Sequence, residues 1–279
     1  SGKKLVIVEA YLAENGKILS QIEVGNSPSE IFVNGDAVVV FDSSYYNGDT
    51  TILQYDVTDR TNPILKKNIS VTGNYFSSRM VGNFIYAIIN KPAYYYGDGP
   101  MPVPMVATSK KGNLTIFPDI YYFDEPAYSY SFTTIVSFDI TSSKEEPEYK
   151  IFLNGGTENM YVSNENIYLT TQRVPDIEIL KSNPVIGVVS SVLPTPLIEP
   201  PQYQEETSIR RIAFQNGLVE YAAGGSVPGY ILNQFSMDEH NGYFRIATTT
   251  GQVWSRGTSA SKNHIYSLDS SLTIVGKLE

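Results

Sequence analysis

No cysteine occurs among the 279 residues, which excludes a disulfide framework, a thiolate nucleophile and any Cys-ligated metal. Histidine is nearly as scarce: His240 and His264 are the only two, so imidazole chemistry has little to draw on. No stretch approaches the roughly 18–20 uninterrupted apolar residues that a membrane-spanning helix needs, and Ser1-Gly2-Lys3-Lys4 has no apolar signal core behind it. No transmembrane segment is expected. Positive charge is short as well, with 20 Lys and Arg against 29 Asp and Glu and a net charge of −9. The densest basic runs are the pairs Lys66-Lys67, Lys110-Lys111 and Arg210-Arg211. A field of that sign repels phosphate backbones, and nucleic acid is set aside as a partner. A glycine-rich phosphate loop and a dinucleotide fingerprint are also missing.

What the chain has in quantity is strand-forming residues. Tyr, Phe, Val, Ile and Thr recur in short runs punctuated by Gly, Pro, Asn and Ser, and no run keeps apolar residues at helical spacing. This composition predicts an all-β fold. Turn dipeptides sit between strand patterns at Asn34-Gly35, Gly82-Asn83, Asn164-Glu165 and Asn241-Gly242, each predicting a tight hairpin. Behind each hairpin comes a second strand pair, so the repeat is a four-stranded meander. Its third strand tends to close on an acid, as in Tyr55-Asp56, Phe138-Asp139 and Leu268-Asp269, with Phe214-Gln215 departing from the rule. An Asp leaving a strand can accept backbone N–H groups in an Asx-turn, so this acid reads as structural.

Residues 4–25 match only the second half of the unit. The expected architecture is a β-propeller of four-stranded antiparallel blades, with a half blade at 4–25 and whole blades at about 28–73, 74–156, 157–228 and 229–279. Stacked β-sandwiches would need Greek-key crossings, which successive hairpins do not supply. Both ends read as third-and-fourth-strand pairs. The expectation is an open arc of a larger ring, with inner edges that favour self-association.

SFTTIVSFDI at 131–140, ENMYVSNENIYLT at 158–170 and VPGYILNQFSMDEHNGYFRIATTTG at 227–251, with PSEIFVNGDAVVVF and NYFSSRMVGN before them, resemble an exported prokaryotic β-propeller family distantly related to WD40 repeats. The resemblance covers essentially the whole chain. It implies an extracytoplasmic or secreted propeller, a leader before this start and further blades after Glu279, and it supplies no catalytic residues. Two glycosylation sequons, at Asn68 and Asn113, suit an exported protein and also arise by chance.

Every long insertion falls between the second and third strand of its unit, chiefly at 90–132 and 172–207, so strand direction puts these insertions on one face. Loops gathered on one side of a rigid scaffold are where binding usually resides. The first insertion carries Tyr94, Tyr95, Tyr96, Tyr121 and Tyr122. Tyr offers a broad rigid surface with a polar tip, which suits a protein or a glycan, and equally suits packing of a loop onto its own blade. The second surrounds an apolar stretch, Val185–Leu193, with prolines. For metals, Asp42, Asn47 and Asp49, or Asp98 between glycines, offer oxygen ligands that calcium accepts, without EF-hand spacing. Ser236, Asp238 and His240 alternate along a strand pattern, yet that spacing alone builds no triad. The alternative to a binding scaffold is a propeller hydrolase or oxidoreductase with channel-facing groups, for which the inner strands offer Glu30, Arg79, Glu158, Asp238 and Glu239 at no repeated position. The residues favour binding over catalysis.

Overall fold

The computed structural model describes residues 3–10, 16–25, 28–44, 48–94, 103–108, 119–123, 129–144, 146–173, 205–251 and 261–279. Strands dominate them, and the helical element among them is one 3-10 turn, Gln234–Ser236. The chain forms two compact units, the first comprising 1–123, 129–156 and 213–220, the second 124–128, 157–212 and 221–279.

In the first unit, β1 (Lys4–Glu9) and β2 (Lys17–Glu23) pair as a two-stranded sheet. The next sheet is a meander of β3 (Pro28–Asn34), β4 (Ala37–Ser44), β5 (Asp49–Asp56) and β6 (Ile64–Thr72). A second meander is built from β7 (Asn74–Val81), β8 (Phe84–Pro92), β11 (Tyr130–Asp139) and β12 (Glu148–Gly155). Here the structure differs from the four-stranded expectation, because the insertion adds a fifth, outer strand to each of these sheets. β9 (Val106–Thr108) pairs antiparallel with β6, and β10 (Ile120–Tyr122) pairs parallel with β12. Outer edges invite pairing, and a segment passing close by satisfies them.

β8 is buried from Ile85 to Ile89 and β11 from Phe132 to Phe138, as central strands covered on both faces must be. One core joins Val39, Phe41, Ile52, Ile69 and Val71 to Ile85, Ala87, Ile89, Val136 and Phe138. A second packs Leu5, Ile7 and Ile22 of the two-stranded sheet on Val38, Val40 and Tyr55. The two meanders of this unit are also clasped by polar groups. Gln54 Nε2 donates to the Ile140 carbonyl at 2.6 Å, and the buried Lys67 ammonium donates to the carbonyls of Ser142 and Lys144.

The second unit holds most of the sheet formed by β13 (Asn159–Val162), β14 (Asn166–Arg173), β15 (Glu206–Gln215) and β16 (Leu218–Pro228). Its other sheet is β17 (Met237–His240), β18 (Tyr243–Thr250), β19 (Lys262–Leu268) and β20 (Ile274–Leu278). β18 alternates strictly, Phe244 and Ile246 inward, Tyr243 and Arg245 outward. Its core packs Tyr168, Ile209 and Val227 against Met237, Phe244, Ile246, Tyr266 and Leu268, with the Tyr168 and Phe244 rings stacked at 4.0 Å.

The acid at the end of the third strand acts as its sequence position predicts. Asp56, Asp139 and Asp269 each accept from the N–H and the hydroxyl of the residue two further on, Thr58, Thr141 and Ser271, at 2.7–2.9 Å. Where Gln215 replaces the acid, the chain instead turns through Asn216 and Gly217, both at positive φ, the geometry of a tight hairpin turn. One turn differs from the sequence reading. Asn34 is the last residue of β3, so the turn is Gly35-Asp36, and the Asn34 side chain is released to reach Asn83 at 3.3 Å.

Candidate functional site

In each four-stranded unit the second strand leads into an insertion. In the first unit β8 ends at Pro92 and β11 begins at Tyr130, and Ala93 N donates to the Tyr130 carbonyl at 2.8 Å, closing the base of the loop. Tyr94 stands two residues beyond β8 and is 63% exposed. Tyr121 and Tyr122 lie on β10, with 45% and 74% exposure. Tyr95 and Tyr96 lie outside the described residues.

β10 is anchored by rings. Tyr121 packs on Phe152 at 5.7 Å and Phe123 stacks on the same ring at 6.0 Å, with Phe152 buried beneath them. The Lys150 ammonium sits 5.1 Å from the centre of the Tyr121 ring, a cation–π distance. Lys150 and Phe152 are two apart on β12 and so share the face that Tyr121 covers. Tyr122, being the next residue of the strand, belongs to the other face. The sheet runs β10-β12-β11-β8, which puts about 14 Å between β10 and the strand that leads to Tyr94. Among the described residues Tyr94 therefore stands at a rim, and Tyr121 and Tyr122 on an outer strand three steps across the sheet from it.

Two of the four oxygen-ligand candidates, Asp42 and Asp49, are among the described residues. Asp42 is buried on β4, its carboxylate lying where a Cβ on Gly25 would stand, while Asp49 opens β5 opposite Thr72. Asn47 and Asp98 lie outside the described residues. Among the described residues no group of three or more His, Asp or Glu is placed to hold a metal ion.

Two of the inner-strand acids, Asp238 and Glu239, are held by neighbouring side chains. In the second unit the Glu239 carboxylate accepts from Asn166 Nδ2 at 3.1 Å and from the Tyr168 hydroxyl at 2.9 Å, while Asp238 takes both ends of the Arg245 guanidinium. Burial, with the Glu239 charge beside it, pushes the Tyr168 hydroxyl well above the usual tyrosine range. Burial also raises the Glu158 carboxyl. Ser236 closes the 3-10 turn and is not on the strand that carries Asp238 and His240, which breaks the alternation read from the sequence. His264 is buried and bonded through Nε2 to Thr250 Oγ1 at 2.9 Å. In the first unit Glu30 and Arg79 lie close enough to act electrostatically on the Tyr75 hydroxyl, whose pKa burial raises.

Two exposed apolar side chains escaped the sequence reading. Leu232 and Phe235, 80% and 85% exposed, sit in the segment that leads into β17. Asn233 Oδ1 accepts from Phe235 N at 2.9 Å, so the capped turn fixes the outward ring. An Asn two residues before a Phe, ahead of a strand, was the available signal.

No helix among the described residues is long and apolar enough to cross a membrane. The sequence is similar to an uncharacterized protein of Methanocaldococcus jannaschii, 27% identical over 282 residues, covering 81% of this chain and 43% of that protein. It is also similar to an uncharacterized protein of Archaeoglobus fulgidus, 41% identical over 75 residues, or 27% of this chain and 10% of that protein. The chain thus spans less than half the length of these curated relatives. Successive antiparallel meanders, the acid that ends their third strands and a match to the Beta propeller domain family over residues 1–279 agree, and the chain belongs to that family.

Proposed function

We propose that this propeller is a non-enzymatic binding scaffold, working outside the cytoplasm, whose insertion between β8 and β11 presents tyrosines to a protein or glycan partner. The observation that carries the reading is the fifth strand. It is pinned by Tyr121 and Phe123 on a buried Phe152, holds Tyr122 at 74% exposure, and is the outermost strand of its sheet among the described residues. A rigid edge with a large aromatic side chain on either face offers anchors at little entropic cost. The commitment of Asp238 to Arg245 and of Glu239 to Asn166 and Tyr168 supports binding over the alternative of channel chemistry. The extracytoplasmic part rests on the family resemblance of the sequence.

The test is a glycan array together with a pull-down from the native envelope, each run with the wild-type chain and with Tyr121→Ala/Tyr122→Ala. A species whose binding weakens at least tenfold in the double variant, with thermal stability nearly kept, is the expected result. Binding that is indifferent to both substitutions, or no bound species in either assay, refutes the reading.

A further inference from the structure

At the end of the first unit opposite the insertion lies a cleft of about 640 Å³, within the size range of small-molecule sites. It is bounded by the β3-β4 and β7-β8 turns and by the segment after β11. We propose that this cleft binds a neutral, polyhydroxylated small molecule of the mono- or disaccharide class. The inference is independent of the tyrosine edge.

A bulge builds the site. In the β5-β6 ladder Gln54 faces Lys67 but Tyr55 faces Leu65, so Lys66 is the extra residue. Consecutive strand residues ordinarily point to opposite faces, and a bulge re-aims them. Here both Lys66 and Lys67 line the same cleft. Lys67 is spent on the Ser142 and Lys144 carbonyls and fixes that wall. Lys66 stays half exposed, 3.4 Å from Asp56 Oδ2.

The donors and acceptors point to the ligand class. Gln54 is 5% exposed with its NH2 committed to Ile140, and its Oε1 is buried without a hydrogen-bond donor. A buried amide oxygen in that state favours a partner that can donate. Asp56 Oδ1 is filled by Thr58, leaving Oδ2 to the cleft side shared with Lys66. Asn83 uses its Oδ1 to receive Asn34, its own NH2 has no partner among the described residues, and Ser143 adds an exposed hydroxyl. Acceptors at Gln54 and Asp56 with donors at Lys66, Asn83 and Ser143 match hydroxyl groups that donate and accept at once. An anion would meet the carboxylates of Asp36 and Asp56, and a cation would meet two lysines, so charge balance selects a neutral ligand.

The experiment is saturation-transfer NMR on the whole chain with D-glucose, D-galactose, D-mannose, N-acetylglucosamine and maltose at millimolar concentration, and inorganic phosphate in a separate arm. The variant is Lys66→Ala/Ser143→Ala, whose side chains are at the surface, with a thermal melt to confirm the fold. The expected result is transfer to at least one sugar, weakened tenfold or more in the variant and unaffected by phosphate. No transfer to any sugar, transfer equal in the variant, or competition by phosphate overturns the proposal.

Discussion

If β10 is held mainly by two rings on Phe152, shortening that one side chain should release it. Phe152 is 1% exposed, with Tyr121 at 5.7 Å and Phe123 at 6.0 Å. Phe152→Ala leaves a cavity in the sheet and is expected to cost about 3–5 kcal/mol globally. Phe152→Leu is more informative, because most of the volume stays while both ring pairs go. Each such pair contributes about 0.5–1.5 kcal/mol beyond its buried area, so β10 should lose about 1–3 kcal/mol of local stability. Among the described residues the rest of the tie to β12 is three register pairs, the Phe123 N–H on the Leu153 carbonyl and Lys150 over the Tyr121 ring. At about 1.4 kcal/mol per factor of ten, amide exchange at Tyr121–Phe123 should accelerate by roughly five- to 150-fold, whereas β11 amides should follow only the global change. Hydrogen exchange read by NMR checks this. Unchanged protection at Tyr121–Phe123 in Phe152→Leu would refute the ring-anchored account and remove the rigid edge on which the proposed binding rests.

Two further outcomes follow from backbone and charge. Gly73 links β6 to β7 at φ +125°, and a Cβ there would stand 2.9 Å from the Asn90 carbonyl oxygen, so Gly73→Ala should destabilise by about 1–3 kcal/mol from conformational strain alone, read as a lower urea midpoint; an unchanged midpoint would contradict it. The Thr58 N–H and hydroxyl hold the Asp56 carboxyl below its usual range, and the Ser271 hydroxyl and neighbouring N–H groups do the same for Asp269. With folded values depressed, this stabilisation is complete above the unfolded pKa of about 4 and is lost as pH falls through the lower folded values. Asp56→Asn/Asp269→Asn keeps an acceptor oxygen but cannot titrate, so its urea midpoint should fall less than that of the wild type between pH 5 and about pH 2; parallel curves would sink the assignment.

The scaffold was legible because its signals are local. Period-two alternation, a turn dipeptide and an acid at the strand end each act within a few residues, and β18 and the Asp-x-Thr/Ser turns show all of that logic in place. The fifth strands were not legible. β10 owes its place to Phe152, about thirty residues on, and its three residues carry too little pattern to announce a strand. The same limit governs the tyrosines. Their clustering in sequence suggested one patch, whereas pairing places Tyr121 and Tyr122 on opposite sides of a strand that is three steps across the sheet from the one preceding Tyr94.

That separation shapes what the insertion end of the first unit can recognise. If the proposed binding holds, anchors about 14 Å apart and on both sides of an edge suit an extended partner that follows the edge or folds over it. The cleft at the other end has the complementary character, concave and polar, with its lysines re-aimed by a bulge. A bulge alters aim without altering the meander, just as an insertion adds an edge without altering it. Under the two proposals, recognition chemistry would vary at either end of these two sheets while the buried middles of β8 and β11 stay fixed.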